Sequence, residues 1–224
     1  MKFILVILFL SIQLAGSGSY IHVGAGKPYK TIKSALEAAK DADVLIINKG
    51  VYAEGEILIN KRVTLKGINL PVLDGKNSSQ VLRVMADGVI IEGFLIRNAV
   101  YSSLYDWAAV RVVNSAHVII RNNKLSNNAF GIYFQNCTSG EISNNTVQGN
   151  TVDEVGSGNA IHCWKSSNLR ILNNKVSGHR DGLYFEFVTS SHIEDNISYN
   201  NIRYGIHFMF SHNDTYINKL HICI

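Results

Sequence analysis

The chain has 224 residues, 46% of them hydrophobic and 17% charged, with a formal net charge of +4. That is enough material for one good-sized domain with a full core, and the composition excludes an intrinsically disordered protein. The positive charge is scattered, with no run of Lys or Arg, so nothing in it marks a nucleic-acid partner.

The first element is a leader. Met1-Lys2 precedes FILVILFLSIQLAGSGS, an apolar core of about ten residues that gives way to small ones, as in a secretory signal peptide. We assign residues 1–18 to it, with cleavage between Ala15 and Ser19, and expect an exported protein whose domain spans 19–224. An uncleaved anchor is the competing reading, but a membrane span needs about 20 apolar residues and Gln13 with the Gly/Ser run comes too early. Next comes the one amphipathic helix, TIKSALEAAKDAD (31–43), with Ile32, Ala35, Leu36 and Ala39 on one face and Thr31 as N-cap. The segments DVLIINKGVYA, ILINKRVTLKG and GVIIEGFLIRN read as strands.

From residue 108 onward the chain repeats itself. FGIYFQN (130–136), NAIHCWK (159–165), DGLYFEF (181–187) and YGIHFMF (204–210) align, with AAVRVVN (108–114) as a weaker earlier copy. Each is followed by an Asn-containing piece, and Asn123, Asn145, Asn174, Asn196 and Asn218 fall 22, 29, 22 and 22 residues apart. The one long interval is 22 plus seven residues, supplied by TVDEVGSG (151–158). Such a unit predicts an all-β, right-handed parallel β-helix with an N-terminal capping helix. Its coils would stack about 4.8 Å apart, and in-register Asn side chains would form an amide ladder. Leucine-rich and helical repeats lack their required patterns here. The chain stops at NKLHICI in mid-coil, so the C-terminal end is expected to be truncated or covered by a partner. Cys137, Cys163 and Cys223 are odd in number and predict no disulfide framework. The Asn-x-Ser/Thr matches follow from an Asn-rich fold.

Strand alternation then sorts the side chains. Ile132/Phe134, Ile161/Cys163, Leu183/Phe185 and Ile206/Phe208 are expected inside, with Phe210 also in the core. Tyr133/Gln135, His162/Trp164, Tyr184/Glu186 and His207/Met209 are expected outside. One outward face therefore gathers His162, Glu186, His207 and Met209, with His212 nearby. Imidazole, thioether and carboxylate ligands there suit transient binding of Cu(I). Trp164, Arg180, Asp181, Tyr184 and Arg203 complete the face as candidate partner-binding residues. The insertion 151–158 and the loop YSSLYDW (101–107) are expected to overhang it. The competing reading is an ordinary stacked surface of aromatic and histidine side chains.

GNAIHCWKSSN, GHRDGLYFEFVTSS and IRYGIHFMFSHND together resemble the NosD family, periplasmic maturation proteins of nitrous oxide reductase. The resemblance extends from about residue 20 to 218 and is most specific from 158 to 214. It implies a non-enzymatic periplasmic protein that works with the ATPase and membrane subunits of an ABC transporter. Its task would be assembly of the reductase's copper–sulfur centre, with the reductase or a copper chaperone as a further partner. Family members are longer, with more coils after MFSH, and no ligand residue is carried over from them. The alternative is a secreted polysaccharide-binding or polyuronate-cleaving β-helix protein. Hydrolysis would require carboxylates converging within about 5–10 Å, and on this face only Glu186 stands out, with Asp181 at the turn and Asp153/Glu154 on a loop.

Overall fold

A computed structural model describes residues 18–102, 104–217 and 222–223. The leader and Asn218 lie outside these residues, apart from Gly18 at the leader's end. The described chain winds into a right-handed parallel β-solenoid of three sheets, with nine, seven and eight strands. The nine-stranded sheet runs from Tyr20–Val23 to Thr215–Ile217, the seven-stranded from Ile57–Ile59 to Tyr204–Met209, and the eight-stranded from Val51–Tyr52 to Ile222–Cys223. Every strand pairs in parallel with its equivalent one coil away. Phe130–Gln135, Ile161–Trp164, Asp181–Glu186 and Tyr204–Met209 stack in the register of the sequence repeat. The fold expected from the repeat is thus the fold observed.

The interior is filled by alternate residues of all three walls. Ile132, Phe134, Ile161, Cys163, Leu183 and Phe185 are fully buried. In the last coil the pattern weakens. Phe208 stacks on Phe185 at 4.9 Å yet is 40% exposed, its strand having one neighbouring strand among the described residues. Phe210 corrects the expectation of a core residue. It occupies a left-handed corner (φ 50°), in line with Asn114, Asn136, Lys165 and Phe187, and stacks on Phe187 outside the solenoid.

The paired asparagines divide two tasks at another corner. Asn122, Asn144 and Asn173 take left-handed φ of 55–56°, which Asn tolerates better than most residues. Asn123, Asn145, Asn174 and Asn196 turn inward, each about 1% exposed. Asn145 Oδ1 accepts from Asn123 N–H and Nδ2 at 3.0 and 3.2 Å, and its own Nδ2 donates to Asn174 Oδ1 and the Ile120 carbonyl. The ladder satisfies buried amides that would otherwise be left unpaired.

The second position of the main repeat is small because coils crowd there. Ala109, Gly131, Ala160, Gly182 and Gly205 form this column, and a Cβ on Gly182 would collide with Ser198 Oγ and the Gly205 carbonyl.

The helix is Ile32–Ala38, shorter than its apolar pattern, and Thr31 caps it by accepting the Ser34 N–H. A turn ends it, in which Asp43 accepts the Lys40 N–H and Ala42 is left-handed. Ile32, Ala35 and Leu36 are buried, and the helix packs beside Tyr20–Val23, Val44–Ile47 and Ile57–Ile59 at the first coils.

Candidate functional site

The site lies on the outward side of the seven-stranded sheet. Ladder pairing aligns Arg111, Tyr133, His162, Tyr184 and His207 in one column and Gln135, Trp164, Glu186 and Met209 in the next. Alternation placed these side chains correctly, but an open face is not what they make. Tyr133, His162 and Tyr184 are only 4%, 8% and 6% exposed. Rings on successive coils cover one another: Tyr133 stacks on His162 at 4.4 Å, Phe130 lies 5.8 Å from it, and Tyr184 meets His162 and His207 edge-on at 4.8 and 4.9 Å.

The expectation of exposure is therefore corrected for His162, Tyr184 and Asp181. Both ring nitrogens of His162 lack a hydrogen-bond partner, and burial, with Arg180 nearby, lowers its pKa to about 3. His179, fully buried at the adjoining turn, is lowered to about 4 by burial, weakly opposed by the backbone of Ala129 and Gly158. Asp181 is fully enclosed and takes a two-pronged contact from Arg203, with Nε at 3.1 Å and Nη2 at 2.6 Å. Arg180 approaches Asp181 at 3.8 Å and Asn159 Oδ1 at 3.4 Å. A buried carboxylate held this way fixes the turn into the strand.

The accessible part of the face is at Glu186, His207 and Met209. The Tyr184 hydroxyl reaches Glu186 Oε2 at 3.4 Å and Met209 Sδ at 3.5 Å. Burial, followed by the charge of Glu186, raises the Tyr184 pKa. His207 is half-buried between Tyr184 and Tyr204, with its Nδ1 buried and unpartnered. His212 is not with them. It lies past the Phe210 corner, bridged to Thr189 and exposed. Among the described residues no three His, Cys, Asp or Glu side chains converge as a metal-holding group. Glu186 and Met209 are brought together around one hydroxyl, His162 is enclosed by the rings beside them, and His212 stands apart.

The structure adds residues that the repeat did not single out. A cleft of about 240 Å³ is lined by Asp106, Arg111, Tyr133, Gln135, His162, Trp164 and Glu186. Arg111 donates to Gln135 Oε1 at 2.7 Å and lies over the Tyr133 ring at 5.6 Å, while its Nε is buried without a partner. Asp106 comes from the loop just before the Ala108–Val113 strand, the loop expected to overhang this face. Lys165 sits 4.3 Å over Trp164. Cys137 and Cys163 are buried free thiols whose pKa values burial raises.

Comparison with known proteins places this geometry in context. The family described as "Right handed beta helix region" matches residues 83–222. The probable ABC transporter binding protein NosD of Pseudomonas aeruginosa is 30% identical over 135 residues, 59% of this chain and 31% of that protein. A cell surface glycoprotein of Methanothermus fervidus is 27% identical over 154 residues, 66% of this chain and 21% of its own length. The chain thus spans a third or less of the curated relatives it matches. Among solved structures, alginate lyase from a Paenibacillus species superposes with a TM-score of 0.69 at 15% identity, covering 88% of this chain and 76% of that one. That likeness is one of fold.

Proposed function

The chain belongs to the right-handed β-helix family, and from that premise we propose that it is an exported, periplasmic accessory protein of the NosD type. In this reading it is not an enzyme. It works with the ATPase and membrane subunits of an ABC transporter in assembling the copper–sulfur centre of nitrous oxide reductase, with the reductase or a copper chaperone receiving or supplying cargo. The observation that carries the reading is the 30% identity to NosD over 135 residues. The names of the relatives, a transporter binding protein and a cell surface glycoprotein, support export.

Copper is cargo in this proposal, met at the accessible end of the face. Met209 offers a thioether and Glu186 a carboxylate on either side of the Tyr184 hydroxyl, with the His207 imidazole two residues along the same strand. One soft thioether, with an imidazole and a carboxylate beside it and all three partly exposed, suits passage better than residence. His162, buried and stacked, positions Tyr184, and His212 takes no part in this set.

The test is deletion of the gene in its host, followed by the absorption spectrum and copper content of the purified reductase. A reductase that is made but lacks its catalytic copper–sulfur centre is expected. His207→Ala and Met209→Ala copies should restore it several-fold less well than wild type. A fully active, normally coloured reductase in the deletion strain overturns the role.

One observation favours a second reading, a polysaccharide-binding protein. The cleft sets the Trp164 ring beside Arg111, Gln135, Asp106 and Glu186, groups able to hydrogen-bond sugar hydroxyls. Calorimetric titration with uronate oligosaccharides, abolished by Trp164→Ala, would support it.

A further inference from the structure

Two loops stand out from the corner leading into the seven-stranded sheet, residues 99–107 and 149–159. They flank the short turn at 127–129, where the intervening coil closes without an insertion. The coils anchored by Asn174 and Asn196 close in 22 residues, so the extra residues at 151–158 are not needed to complete a turn. Nor do they add to the core. Leu104, Val152 and Val155 are 82%, 91% and 88% exposed, the most exposed large hydrophobic side chains among the described residues. Tyr105 and Tyr101 join them at 58% and 43%. Tyr101, Val152 and Val155 line one depression of about 370 Å³ between the loops.

These side chains point outward from loops that are tied down. Glu154 lies 3.8 Å from Arg203, and Ser157 donates to the Glu154 carbonyl at 2.9 Å. Ser102 Oγ accepts the N–H groups of Leu104 and Tyr105 at 3.2 and 3.1 Å, and Tyr105 stacks parallel to Trp107. Ordering the tips of these loops costs conformational entropy that the exposed Leu104, Val152 and Val155 do not offset by burial within the chain. An apolar patch so held marks an interaction surface.

Charge selects the partner. The loops carry Asp106, Asp153 and Glu154 and no Lys or Arg, and the arginines beside them are shared, Arg203 between Asp181 and Glu154 and Arg111 between Gln135 and the cleft that Asp106 lines. An anionic membrane surface would repel these loops, whereas a basic rim around an apolar groove would complement them. We infer that these two loops dock a partner protein presenting an apolar groove bordered by Lys or Arg. The inference rests on the accessory-protein reading for the partner's identity, and it adds the face through which docking occurs.

The experiment places a photo-crosslinking amino acid at positions 104, 152 and 155, and at Lys124 and Arg170 on the other two sheets as controls. Each full-length variant is co-produced with the transporter membrane subunits and the reductase, and reductase maturation is followed in parallel. Crosslinks to one of these proteins from the loop positions are expected, with none from the controls. Leu104→Asp combined with Val152→Asp should reduce their yield at least tenfold while the melting temperature stays unchanged. Crosslinks from Lys124 or Arg170 alone, with maturation intact, overturn the docking surface and leave the accessory role standing. Absence of crosslinks together with normal maturation in the deletion strain overturns both. Co-flotation with phosphatidylcholine vesicles that the double variant abolishes would assign the loops to a membrane and overturn the inference.

Discussion

A histidine in water titrates near pH 6.5, and His162 and His179 show what enclosure does to that property. The folded protein keeps both neutral, with pKa values lowered to about 3 and about 4 by loss of solvation. Below pH 6.5 the unfolded chain takes up protons at these two positions while the folded chain does not. They therefore contribute stability that is fully present above pH 6.5 and drains away as pH falls toward those folded values. His162→Phe keeps an aromatic ring in the stack and removes one of the two groups, along with two unpartnered nitrogens. Its melting temperature should fall less steeply than that of wild type between pH 6.5 and 4, and at pH 7 it should be no less stable. Parallel curves measured by circular dichroism would sink this account. Alternation in the sequence correctly turned His162 away from the core. It carried no sign of burial, because the covering rings of Phe130, Tyr133 and Tyr184 come from other coils and the main chain alone does not specify their packing.

At the scale of elements, the Ile32–Ala38 helix illustrates how a short helix is held by its context. It is only seven residues long, well below the length at which an isolated helix is stable in water. Thr31 closes its N-terminus. At its C-terminus the Lys61 ammonium donates to the carbonyls of Leu36, Glu37 and Ala39 at 2.8, 2.9 and 2.7 Å. A cation there both satisfies orphan acceptors and opposes the helix dipole. Lys61→Met should destabilise the protein by about 1–3 kcal/mol, read as a lowered midpoint in urea denaturation, and Lys61→Arg, which keeps the charge, should recover most of that loss. A midpoint unchanged in Lys61→Met would show that burial of Ile32, Ala35 and Leu36 suffices. The apolar face and the N-cap were legible from residue spacing. The ion cap was not, since Lys61 is more than 20 residues away and reaches the helix only because the coils stack.

For the whole molecule, a solenoid is held together by nearest-neighbour contacts between coils, so stability should vary along its axis. Coils at Phe130–Gln135, Ile161–Trp164 and Asp181–Glu186 are buried on both sides, and their Asn ladder is continuous. Tyr204–Met209 is half-buried or exposed throughout. Hydrogen exchange followed by mass spectrometry should find the slowest amides in the first three strands and exchange at least tenfold faster in the fourth. Uniform protection along all four would argue instead for a single cooperative unit.

The sequence by itself determined the architecture, because a parallel solenoid repeats one local solution. The 22-residue interval, the left-handed and inward asparagines, the small second residue of each main repeat and the alternation of apolar side chains are each set by contacts between equivalent positions. Tertiary structure alone decided what the outward face became. Its stacked rings enclose His162 and Tyr184, Arg203 locks Asp181 inside, His212 falls beyond a corner, and Arg111 and Glu186 come to line one cleft. Those outcomes depend on side chains from different coils and on loops that break the repeat, where no periodicity constrains what meets what.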